Sequence, residues 1–148
     1  MTSSPDLCDA PPSSPSMDVS RTGGSTHCWA IDCDRFKSVN DTLAHHTGDL
    51  VLQGVVDAIK GSIRGWDLAC RWGGDEFVVL LPRTKPENGR RVAERIRMAA
   101  EGMQLHGVTL STGVATSTKG ESLAAVIVRA DSAMYGAKRA GRNAVVIA

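Results

Sequence analysis

The sequence has no long hydrophobic run, no charge excess and no paired cysteines. Nowhere in its 148 residues do roughly eighteen apolar residues follow one another, so no transmembrane helix is expected. Lys and Arg number 17 against 16 Asp and Glu, a net charge of +1. That balance argues against a nucleic-acid coat or a membrane-surface protein. Cys8, Cys28, Cys33 and Cys70 form no CxxC pair. Structural zinc and a disulfide framework are therefore not expected, and four free thiols in a reducing cytoplasm are. The first residues lack a basic start followed by an apolar stretch, so no secretory signal is expected. No internal repeat is present. What remains is a chain 42% hydrophobic and 22% charged, enough for one soluble domain with a core.

Residues 1–26 carry Pro5, Pro11, Pro12 and Pro15, many Ser and Thr, and little to bury, and a disordered tail is expected there. From residue 27 the pattern is globular. Cys28-Trp29-Ala30-Ile31 reads as a buried strand ending at Asp32-Cys33-Asp34, and residues 34–41 as a helical turn. Leu52, Val55, Val56, Ile59 and Ile63 fall at helical spacing. A strand to Trp72, the pair Gly73-Gly74 and an apolar run from Glu76 to Leu81 predict a β-hairpin. Thr84-Lys85-Pro86-Glu87 fits a capping box, opening a helix with Val92, Ile96 and Ala99 on one face and a stop at Gly102. Residues 108–115 read as a strand. Leu123, Val126, Ile127, Ala130 and Met134 make a last helical stripe ending near Gly141, and residues 143–148 a closing strand. A hairpin inside a βαβ series predicts an α/β sandwich of two or three layers around a central mixed sheet. Met98, Met103, Met134 and Trp29 are expected in the core, and His45 and His46 as structural or exposed.

The polar residues group unevenly. If the first strand neighbours the hairpin, Asp32 and Asp75 meet at one sheet edge, where two hard carboxylates suit Mg²⁺. Solvated turn carboxylates would look the same. Gly73 and Gly74 leave room for close approach to the backbone, or make an ordinary tight turn. Lys37, Arg71, Lys138 and Arg142 gather near the same place. Carboxylates for a metal plus separated cations make a polyphosphate site.

These residues carry a resemblance. Arg71-Trp72-Gly73-Gly74-Asp75-Glu76-Phe77 resembles the hallmark of the GGDEF family, the diguanylate cyclases. Asp32-Cys33-Asp34-Arg35-Phe36-Lys37 resembles the family's Asp-x-Asp-x-Phe-Lys, and Asn40-Asp41 through His45 to Gly48-Asp49 its Asn-Asp-x-x-Gly-His-x-x-Gly-Asp. Ser111-Thr112-Gly113-Val114-Ala115, and the stretch from Ala130-Asp131 to Arg142-Asn143, are similar to its later strand and closing helix. The motifs stay in order from about residue 27 to 146. The family's usual opening helix and loop are not found, so an N-terminally shortened domain of palm-like, nucleotidyl-cyclase fold is expected. Ala44 also stands where the family has Gly, and Leu43 where it has an aromatic residue.

The resemblance implies an enzyme that joins two GTP into cyclic di-GMP with release of two pyrophosphates, across a homodimer. It implies two Mg²⁺ (or Mn²⁺) per active site, held by Asp32, the Cys33 carbonyl and Asp75. It implies Glu76 for the attacking hydroxyl, beside Gly73 and Gly74. Backbone amides near Arg35 and Phe36, with Lys37, Lys138, Arg142 and Arg71, would hold phosphates. Asn40 and Asp49 would read guanine: a carboxylate can accept from its N1–H and N2–H₂, donors that adenine lacks. Arg64 and Asp67 match the family's inhibitory product site. Two other readings compete: a catalytically silent module that binds GTP or cyclic di-GMP, and an unrelated Mg²⁺-dependent nucleotidyl transferase. The second leaves Asn40, Asp49, Arg64 and Asp67 unexplained together.

Overall fold

The computed structural model describes residues 25–148. Most of the expected tail, and Cys8, lie outside them. The elements run β1 (His27–Cys33), α1 (Phe36–Thr42), α2 (His45–Lys60), β2 (Leu68–Arg71), β3 (Glu76–Leu81), α3 (Pro86–Gly102), β4 (Leu110–Thr116), α4 (Leu123–Arg139) and β5 (Ala144–Ile147). They form one mixed sheet of order β2-β3-β1-β4-β5. The hairpin is present: β2 and β3 pair antiparallel. β1 sits in the middle, antiparallel to β3 and to β4, and only β4 and β5 run parallel.

β1 explains why its sequence reads as an unbroken apolar run. Successive side chains point to opposite faces, and both faces are covered. Trp29, Ile31 and Cys33 join Val55, Ile59, Phe77, Val79 and Ile96 beneath α2 and α3. Cys28 and Ala30 join Val78, Leu80, Val126, Ala130 and Met134 beneath α4. The sandwich therefore has three layers. Among the described residues no helix is long and apolar enough to cross a membrane. None of Cys28, Cys33 and Cys70 is in a disulfide, and all three are buried.

Three local expectations are corrected. The capping box does not form: α3 is capped by Lys85 with no side-chain bond, and Pro86 takes the first turn. Thr84 is instead buried, its hydroxyl donating to the Pro82 carbonyl and accepting from the Arg64 guanidinium. Its own carbonyl accepts from Nε2 of the buried His27, whose Nδ1 accepts from the Thr116 hydroxyl. Burial keeps that imidazole's pKa low, and so neutral. Met98 and Met103 are not core residues, at 61% and 44% exposed. The buried stripe of α3 is Gly89, Ala93, Ile96 and Ala100; Met98 lies two residues from Ile96, on the far side of the helix, and Met103 lies beyond its end. Met134 and Trp29 are buried as expected.

Candidate active site

The strand register brings the acidic residues together. Asp32, next to last in β1, lies opposite Glu76, the first residue of β3. The Cys33 amide donates to the Asp75 carbonyl at 3.0 Å, which pins the glycine-rich loop to the end of β1. Asp32 is 5% exposed and forms an ion pair with Lys138 of α4, with Nζ 2.7 Å from Oδ2. Burial raises the Asp32 pKa, and Asp75 and Asp34 raise it further; Lys138 opposes them without cancelling them. Burial also raises the Glu76 pKa, helped by Asp32, Asp131 and Asp75. Burial works against the Lys138 ammonium, but Asp32, Asp75 and Asp34 outweigh it and raise its pKa. One ammonium thus leaves the cluster underneutralised, and the edge is poised for further cation charge.

The donor set fits a hard cation. Among the described residues no three His, Cys, Asp or Glu side chains form a cage. Mg²⁺ does not need one: it takes one or two carboxylates and keeps water or phosphate for the rest. The Cys33 thiol is no ligand candidate. It faces the core, and burial with neighbouring carboxylates pushes its pKa far up. Only its backbone carbonyl is available.

The loop between β2 and β3 is built for access. Neither Gly73 nor Gly74 has a left-handed backbone, and an added Cβ would meet nothing of this chain nearer than Glu76 at 3.9 Å. Their lack of side chains serves no internal packing and leaves the loop surface open. Arg71 holds that loop's shape, donating to the Gly73 and Gly74 carbonyls at 3.1 and 2.6 Å. In this arrangement it braces the loop. Glu76 also borders a cleft of about 350 Å³ with Trp72, Ile127, Val128 and Asp131.

The other expected residues take separate positions. Arg35 adopts a left-handed conformation ahead of α1, and Lys37 is exposed in its first turn. Asn40 on α1 packs against α2 at Gly48, where a Cβ would overlap the Asn40 side-chain oxygen. Asp49 is the next residue of α2 and is exposed. Arg142 lies just past α4. Arg64 and Asp67 are brought together in the turn before β2. Asp67 is turned inward, its side chain 1% exposed, and accepts from the Arg64 amide at 2.7 Å. The half-exposed Arg64 guanidinium lies 5.0 Å from the Trp66 ring centroid.

The sequence profile described as "Diguanylate cyclase, GGDEF domain" matches residues 15–144. The chain belongs to the GGDEF family. This GGDEF domain is 45% identical over 133 residues to the response regulator PleD of Caulobacter vibrioides, covering 84% of this chain and 29% of PleD. It is 40% identical over 134 residues to the diguanylate cyclase DgcP of Pseudomonas aeruginosa, covering 86% of this chain and 20% of DgcP. The chain thus spans under a third of either relative. The GGDEF domain of DgcB from Caulobacter crescentus, solved in complex with c-di-GMP, superposes with a TM-score of 0.82 at 33% identity, over 87% of this chain and 81% of that one. The palm-like α/β fold of the GGDEF domain is therefore the fold of this chain. The match opens at residue 15, ahead of the described residues.

Proposed function

We propose that this domain is a cytoplasmic diguanylate cyclase: two copies face each other, each binds one GTP, and the 3′-hydroxyl of each nucleotide attacks the α-phosphate of the other. Two bonds to the α-phosphates form, two pyrophosphates leave, and cyclic di-GMP results. The observation that carries the reading is the underneutralised edge of Asp32, Asp75 and Glu76 beside an open glycine loop. Asp32, the Cys33 carbonyl and Asp75 would hold two Mg²⁺ or Mn²⁺, which would neutralise charge on the phosphates and on the departing pyrophosphate.

The chain's own groups do the rest. Glu76 accepts a hydrogen bond from the attacking hydroxyl and orients it. Lys37, Lys138, Arg142 and the amides near Arg35 and Phe36 hold the β- and γ-phosphates. With metal charge at Asp32, Lys138 would be free to hold a phosphate. Asn40 and Asp49, on facing helices, read the guanine edge: the Asp49 carboxylate accepts from its N1–H and N2–H₂, and ATP would leave that carboxylate without donors.

The test is purified protein with GTP and Mg²⁺ over a range of protein concentrations, read as cyclic di-GMP and pyrophosphate. Specific activity rising with concentration supports a dimer-dependent cyclase. A folded protein that binds GTP or cyclic di-GMP and makes no product overturns the reading.

Two expected results follow from the binding residues. Gly48→Ala pushes the Asn40 side chain from its seat against α2, a shift that a flexible side chain makes at little cost to the fold. Steady-state kinetics should show the KM for GTP rising about tenfold, the worth of one hydrogen bond. Arg64 offers cyclic di-GMP a guanidinium already stacked on an exposed Trp66. For Arg64→Ala, half-inhibition by added cyclic di-GMP should need at least about tenfold more product; unchanged inhibition removes the product site from this pair.

A further inference from the structure

Asp34 has no part in the mechanism above, yet it is the most completely bonded carboxylate of the site. It is 2% exposed. Oδ1 accepts from the Ser111 hydroxyl at 2.6 Å, and Oδ2 accepts from the Thr109 hydroxyl at 2.7 Å. Oδ2 also accepts from the backbone amide of Asn143, 109 residues away, at 3.0 Å. Its own amide donates to the Thr109 carbonyl.

The Asn143 bond closes an unusual turn. Gly141, Arg142 and Asn143 all have positive φ, of 113°, 67° and 46°. Side chains other than glycine rarely adopt that conformation, so the turn needs outside support. Part of it is a Schellman end to α4: the Gly141 amide donates to the Lys138 carbonyl and the Arg142 amide to that of Ala137. Asp34 takes the next amide in line. From the other side Arg97 of α3, itself held by Glu94 and Glu101, donates to the Asn143 side-chain oxygen at 2.9 Å. The turn so fixed carries Arg142 and follows Lys138 by a few residues. Asp34 meanwhile follows Asp32 and Cys33 directly.

We infer that Asp34 is a positioning residue, which locks the left-handed turn bearing Arg142 to the end of β1, so that the phosphate-holding cations and the carboxylate edge keep one register. The inference rests on the proposed reading of Lys138 and Arg142 as triphosphate ligands. Local sequence gives no sign of it, because the partners come from β4, the loop before it and the far end of α4.

The test is a ladder of affinities. Guanosine, GMP, GDP and the α,β-methylene analogue of GTP, whose α–β bridge cannot be cleaved, are titrated in Mg²⁺ buffer against the full chain. In the parent, affinity should rise with each phosphate. Asp34→Ala should lose about tenfold to a hundredfold of the triphosphate's affinity, the range for an outer partner that orients a ligand, while guanosine binds as before. Asp34→Asn keeps an oxygen for the Asn143 amide and should restore most of the ladder, although it removes the charge. A folded Asp34→Ala with the parent's ladder, or one that loses guanosine and triphosphate affinity alike, overturns the inference; so does an Asn variant as weak as Ala. If Asp34→Ala does not fold, Ser111→Ala, which removes one donor and leaves the backbone bonds, is judged by the same criteria. A parent with no gain from added phosphates overturns the triphosphate reading itself, and the inference with it.

Discussion

Asp75→Ala should abolish cyclic di-GMP formation, by about a thousandfold or more, and leave the fold as stable as before. The two halves of that result come from different atoms of one residue. The side-chain carboxylate is the part that would hold metal, and losing metal assistance at a phosphoryl centre costs several kcal/mol, about 4 kcal/mol for a thousandfold. The backbone carbonyl is the part that holds the loop, through the Cys33 amide, and alanine keeps it. The carboxylate also repels its neighbours, since Asp75 is among the causes raising the pKa of both Asp32 and Glu76. Removing it should leave the thermal midpoint in metal-free buffer at the parent's value or slightly above.

The sign of that small gain is checkable with pH. A carboxyl whose folded pKa is raised favours the fold below its unfolded pKa and loses that contribution as pH rises through the folded value. The repulsion is therefore in force at neutral pH. The gain from Asp75→Ala should shrink as pH falls through the carboxylate range. A lower midpoint at neutral pH together with lost activity would instead mark Asp75 as structural. Paired midpoint and product measurements on parent and variant separate the two.

Legibility in the sequence followed the range of the interactions. The β2–β3 hairpin could be read because its signal, strand–glycines–strand, lies within a dozen or so residues. The stripes of α2 and α4 could be read because period 3.6 is local. The meeting of Asp32 with the Asp75–Glu76 pair needed one assumption, that β1 neighbours β3, and the register bears it out with Asp32 facing Glu76. Failures came where a distant partner outbid a local rule. Thr84 has the sequence of a helix cap, but its hydroxyl is taken by Pro82 and by Arg64, twenty residues back, and its carbonyl by His27. Asp34 looked like one more acid in a cluster, and its bonding is settled by residues 75 to 109 positions away.

Gly113→Ala and Gly136→Ala make the same chemical change on the contact between α4 and the sheet, and should act in opposite directions. Gly113 lies in β4 between Ala30 of β1 and Val146 of β5, so the strand has neighbours on both sides. A Cβ there would overlap the Ala130 carbonyl oxygen and the Met134 amide nitrogen of α4. Both are backbone atoms, so no rotamer change relieves the collision and the helix must lift from the sheet. Overpacking a core costs about 1–3 kcal/mol even where side chains can adjust, so about 3 kcal/mol or more is expected here. Against a domain stability of about 5–15 kcal/mol, that lowers the thermal midpoint by roughly 10 °C. It also moves the helix that carries Lys138 and leads into Arg142. Gly136, inside α4, would place its Cβ 3.8 Å from Val146, an ordinary contact. Alanine there gains helix propensity and should raise stability by roughly 0.5–1 kcal/mol. Thermal unfolding of the two variants beside the parent checks both signs at once. A Gly113→Ala midpoint equal to the parent's would mean that α4 does not rest on β4 as closely as this.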